Sequence, residues 1–127
     1  MAKTKKPRAL MECYMYPENG KRYIHIAVMR TQADLRLLAK AHGVAHSQTA
    51  GFCKALKGKR FALVGLYKRG LSPRIVSHEF THAALMYLSD VDDLPKDPYR
   101  SANERLCHLV GNSTADFYKW AKDKNLY

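Results

Sequence analysis

Glycine, proline and cysteine are all scarce in this sequence. With 7 Gly and 5 Pro among 127 residues, the chain is neither collagen-like nor of low complexity. Three cysteines, Cys13, Cys53 and Cys107, are odd in number and include no C-x-x-C pair. This excludes a disulfide framework and leaves reduced thiols that behave as small buried hydrophobes. Long apolar runs are lacking as well. Nothing approaches the roughly 20 residues that cross a bilayer, and no signal-type apolar stretch follows the basic start before Glu12. These absences predict a soluble, unexported protein of a cytoplasm, with no membrane partner. Acidic residues are the last scarcity, 11 against 22 Lys and Arg, for a net charge of +11.

What is present suits one domain: 46% of residues are hydrophobic and 26% charged, at a length that buries a single core. Residues 1–8 read as a flexible basic tail and 9–127 as the domain. The charge is lopsided, because residues 1–70 carry 15 basic and 3 acidic side chains and residues 71–127 carry 7 and 8. A basic half of this kind implies weak, salt-sensitive contact with nucleic acid or with an acidic protein.

Apolar and aromatic residues from Ala9 to Tyr16 and from Tyr23 to Met29 flank Pro17-Glu18-Asn19-Gly20, a hairpin signal in which Asn-Gly tolerates positive φ. Thr31 followed by Asp34 predicts a capped helix over 32–42 that stops at Gly43. Residues 44–59 show no clean period. Arg60 to Lys68 reads as a third strand, and Ser72-Pro73 opens a helix running to about Leu88. Two prolines and four aspartates make Asp90 to Tyr99 a loop, and Ser101 caps a final helix with Glu104 in its first turn. The expected architecture is a small α+β domain with a short, mainly antiparallel sheet.

Chemistry concentrates in the last two helices. His78-Glu79-Phe80-Thr81-His82 is an H-E-x-x-H pattern, which arises by chance about once in a hundred chains of this composition. On a helix its histidines lie about 40° apart and one turn along, so both imidazoles address one metal while Glu79 stands beside them. A catalytic zinc takes three protein ligands and keeps a fourth position open. Three residues compete for the third place: Glu104, His108 one turn on, and Cys107. If Glu104 ligates, His108 is left to orient a ligand from behind.

H-E-x-x-H on one helix followed by Asn103-Glu104 on the next resembles the gluzincin branch of the zincin metallopeptidases, over roughly residues 60 to 110. HEFTHAAL and NERLCHLVG also look like the minimal intracellular zincin-like proteins of phages and mobile elements. The resemblance implies one Zn2+ per chain held by His78, His82 and Glu104, with Glu79 as the catalytic carboxylate and a peptide or protein as substrate. It also implies a substrate-pairing edge strand just before the motif helix, here residues 61–67. It departs from the thermolysin pattern at His108, where that group carries aspartate.

On this reading Glu79 accepts a proton from a zinc-activated water and later returns it to the leaving amine. Tyr99, Arg100 and Arg105 are near enough to Glu104 in sequence to serve as oxyanion donors. His42 and His46 share i, i+4 spacing but Gly43 interrupts them, and His25 reads as a satisfied strand histidine. Two other readings stand beside the peptidase: a zinc-containing binding module without turnover, and a SprT-like protease acting on DNA-bound protein, in which His108 becomes a ligand.

Overall fold

The computed structural model describes residues 8–44, 50–91 and 101–126, with side chains from Glu104 onward in the last segment. Residues 1–7 of the expected tail, His46, residues 92–99 of the expected loop with Tyr99, and Arg100 lie outside the described residues, while Asp90, expected to begin that loop, instead ends the preceding helix. The chain is α+β. Strands β1 (Ala9–Met15), β2 (Tyr23–Met29), β3 (Gly51–Ala55) and β4 (Arg60–Tyr67) form one sheet in the order β1-β2-β4-β3. Helix α1 (Gln32–Ala41) lies between β2 and β3 in sequence, and α2 (Pro73–Asp90) and α3 (Ser101–Asp123) follow β4.

β1 and β3 each run antiparallel to their neighbour, whereas β2 and β4 pair in parallel through a connection that includes α1 and β3. A central parallel pair is buried on both faces, which is why IHIAVM and FALVGLY read as nearly continuous apolar runs. Ile24, Ile26, Val28, Ala62, Val64 and Leu66 turn to one face, where α2 and α3 cover them with Val76, Phe80, Leu109 and Phe117. Ala27, Met29 and Leu63 turn to the other, under Leu35 and Ala39 of α1. Phe80 and Phe117 meet edge to face at 5.8 Å between ring centroids, tying α3 to α2 by the preferred aromatic geometry.

The helix starts follow from local capping. Thr31 Oγ1 accepts from the Asp34 backbone N–H at 3.1 Å and Ser72 Oγ from that of Ile75 at 3.2 Å, each satisfying a donor that the first helical turn leaves unpaired. α3 ends in a Schellman arrangement, with Asn125 at φ 55 and the Leu126 N–H reaching the Ala121 carbonyl at 2.9 Å, so that Leu126 folds back into the core.

Three expectations need correction. The sheet has a fourth strand, β3, within the stretch that shows no period. β4, expected at the edge over 61–67, is interior and paired on both sides, and the edge beside α2 belongs to β3. The strands β1 and β2 are joined by residues 16–22 around a short 3-10 turn, and the positive φ values fall on Glu18 (54°) and Asn19 (56°), not on Gly20.

Candidate metal centre

Helix α2 buries Val76, Phe80, Ala83, Ala84, Tyr87 and Leu88 and so turns the flank carrying His78 and His82 toward β3. Side chains four apart stack one above the other on a helix. The two imidazoles meet at 4.9 Å between ring centroids, 75° between planes, with their Nε2 atoms 3.3 Å apart. Glu79 is buried between them at 6% exposure. One ligand atom from each of His78, Glu79 and His82 lies within 4.8 Å of the others, a grouping able to hold a metal ion.

These side chains line a cavity of about 710 Å³ between α2 and the edge strand, shared with Gly51, Phe52, Cys53, Arg74 and Ile75. A second hollow of about 410 Å³ continues past His82 along Ala55, Leu56, Leu85 and Met86. Together they form a groove that follows β3. Two glycines shape it. Gly65 leaves room for the Phe52 ring, which would be 2.2 Å from any Cβ there, and Gly51 lets the strand start close against Ile75 and Glu79. The Cys53 thiol is pushed up to about 12, first by burial and then by the Glu79 carboxylate. It therefore stays a neutral thiol and donates to the Met86 sulfur at 3.7 Å, bridging strand and helix.

The other expected site residues lie elsewhere. Glu104 and His108 stand 3.8 Å apart on α3 with side chains 78% and 76% exposed, outside the His78 group. His108 borders a different hollow, between α3 and the β1–β2 connection. Arg105, weighed as an oxyanion donor, turns its guanidinium to Glu18, with Nε 2.7 Å from Oε2. Cys107 is exposed rather than buried. The residues missed in sequence are Gly51 and Cys53 of the aperiodic stretch, and Arg74. Arg74 had a signal: it continues the i, i+4 row of His78 and His82 one turn toward the N-terminus.

His25 is satisfied as expected. Its Nε2 pairs with Glu12 Oε1 at 3.0 Å and its Nδ1 with Arg60 at 3.3 Å. His42 is shifted to lower pKa first by burial and then by electrostatic repulsion, led by Arg60. Among the described residues no helix is long and apolar enough to cross a membrane. Comparison of the chain with family models, with characterised proteins and with solved structures returns no match.

Proposed function

We propose that this chain is a zinc-dependent hydrolase, a zincin-like metallopeptidase of gluzincin type that cleaves a peptide bond. The observation that carries this reading is the 3.3 Å between the Nε2 atoms of His78 and His82. Two nitrogens bound at 2.0–2.1 Å to a tetrahedral zinc stand about 3.3–3.4 Å apart, so the imidazoles are already spaced as a ligand pair. A zinc ion held there supplies Lewis acidity and brings the pKa of a coordinated water toward 7. Glu79, buried beside the pair, takes the proton of the attacking water on its carboxylate and delivers it to the leaving nitrogen as the peptide bond breaks. Arg74, at the cleft wall, supplies positive charge toward the carbonyl oxygen or a substrate carboxylate.

Glu104 fills the third ligand position in this reading. Its carboxylate stands with His108 outside the histidine group, so ligation requires the start of α3 to move toward α2. Zinc content of Glu104→Gln beside that of His108→Gln measures this directly: loss in the first alone assigns Glu104, and loss in the second alone assigns His108. The test of the reaction is Glu79→Gln assayed on a quenched fluorescent peptide library. The expected result is wild-type zinc content with hydrolysis lowered by at least about a hundredfold. Stoichiometric zinc absent from the wild-type protein, or full hydrolysis by the variant, would overturn the proposal.

A further inference from the structure

The face of the sheet turned away from α2 is only partly covered by α1. Beyond the helix it carries a run of aromatic rings from two strands. Cross-strand pairing sets Tyr14 opposite His25, and the same antiparallel register brings Tyr16, just past the end of β1, beside Tyr23. Ring centroids are 4.9 Å apart for Tyr14 and His25, 5.5 Å for Tyr14 and Tyr23, and 5.4 Å for Tyr16 and Tyr23. Burying the rings would be the usual outcome for tyrosines in a domain core, yet Tyr14 and Tyr16 are each 53% exposed, the most exposed large hydrophobic side chains among the described residues.

Positive charge frames this patch. Arg60 begins β4 opposite Tyr23 and contacts His25. Lys54 of β3 lies across from Leu63, the residue that pairs with His25 on the other side. Lys57 and Lys59 are exposed in the turn between β3 and β4, and the Lys59 carbonyl accepts from the Tyr23 N–H at 2.7 Å, holding that turn against the aromatic run. Glu12, on the same face, has its carboxylate 3.0 Å from His25 Nε2.

We propose that this face binds single-stranded nucleic acid, with bases stacked on Tyr14 and Tyr16 and the phosphate backbone following Lys54, Lys57, Lys59 and Arg60. Exposed rings on a sheet give every base a π surface without requiring a particular sequence, and flanking cations neutralise phosphates. A duplex keeps its bases stacked on one another and does not offer those faces, so the rings select single strands where the charge alone would not. The neutral stacking partners that exposed tyrosines also accept, such as sugars, gain nothing from the cationic frame. The surface lies across the sheet from His78 and His82, so strand binding and the metal centre are separable.

The test uses the full chain and fluorescein-labelled oligo(dT) of about 15 nucleotides, followed by anisotropy at about 50 mM salt. Tyr14→Ala with Tyr16→Ala is expected to weaken binding at least about tenfold, while Tyr14→Phe with Tyr16→Phe stays within about threefold of wild type. Lys57→Gln lowers the slope of log affinity against log salt by about 0.7, the contribution of one phosphate contact on a single strand. Both tyrosines are exposed, and unchanged far-UV circular dichroism checks that the alanine variant is folded. Absence of binding at low salt overturns the proposal. So does equal affinity for a duplex of the same length, or binding that falls with lysine removal while ignoring loss of the two rings.

Discussion

Gly51 and Glu79 leave little room for a side chain between strand and helix: a Cβ on Gly51 would stand 3.3 Å from Glu79 Cγ, and 3.1 Å from Ile75 Cγ2. The buried carboxylate thus owes its place to a missing methyl group on the neighbouring strand. Gly51→Ala is expected to keep zinc, because the three atoms nearest a Cβ there belong to Ile75, Leu66 and Glu79 and not to a histidine, and to lower kcat on peptide substrates by about tenfold through displacement of Glu79. Overpacking of this kind costs stability by about 1–3 kcal/mol. Thermal unfolding and metal analysis, run beside the kinetics, separate the three effects. An unchanged kcat would mean that the carboxylate position does not limit the reaction.

Why the His78, Glu79 and His82 grouping was legible in sequence while its surroundings were not follows from range. The His78, Glu79 and His82 grouping is set by helical periodicity within five residues, and the caps Thr31 and Ser72 act over three. β3 offers no such local pattern. Phe52 turns to the α1 side and Cys53 to the α2 side, so apolar residues do not alternate with polar ones, and the strand exists because β4 presents a free edge to it. That edge in turn depends on the parallel pairing of β2 with β4, a contact between segments more than thirty residues apart, which no local window reveals. Where Glu104 stands relative to His82 is not a local matter either: it is governed by how α3 docks on α2 through Leu109 and Phe117, not by spacing along the chain.

A second expectation concerns acid. Glu18 accepts from the Tyr87 hydroxyl at 3.0 Å and from Arg105, clamping the β1–β2 connection to α2 and α3 while its own φ is 54°. The Arg105 guanidinium, more than the Tyr87 hydroxyl, holds the Glu18 carboxyl below its ordinary 4.5. Because the folded value is the lower one, the stabilisation is present in full above pH 4.5 and is lost as pH falls through the folded value. Urea midpoints measured from pH 6 to pH 3 are expected to fall less steeply in Glu18→Gln than in wild type, with the variant already weaker at pH 6. Parallel curves would show that the clamp does not titrate with folding.

Thiol reactivity gives a third check, independent of any activity. Cys13 and Cys53 are each pushed up to about 12, in both cases chiefly by burial, whereas Cys107 is exposed on α3. Since the thiolate is the reacting species, one thiol per chain is expected to react with an aromatic disulfide reagent at pH 8 in the native protein, and three in urea. Cys107→Ser then leaves a native chain with none reacting promptly. Two fast thiols in wild type would mean that the groove around Cys53 opens more readily than its packing against Met86 implies.

The last expectation follows from the identity of the edge strand. β4 has both sides paired, so an extended substrate cannot add to it, whereas among the described residues β3 pairs with β4 alone and leaves its outer side free next to His78 and His82. A peptide bound in the groove is therefore expected to run along Gly51–Ala55 as an added strand, held by main-chain hydrogen bonds with modest demands on side chains. Methylating single backbone nitrogens of a good substrate removes one donor at a time. A period of two is expected, because a strand turns alternate N–H groups toward its partner: every second N-methylated peptide should show KM raised by roughly tenfold, the loss of one such bond being worth about 1 kcal/mol or somewhat more. The intervening peptides should behave as the parent does. Uniform effects at every position, or none, would mean that the substrate is held by its side chains and that the free edge of β3 plays no part in binding.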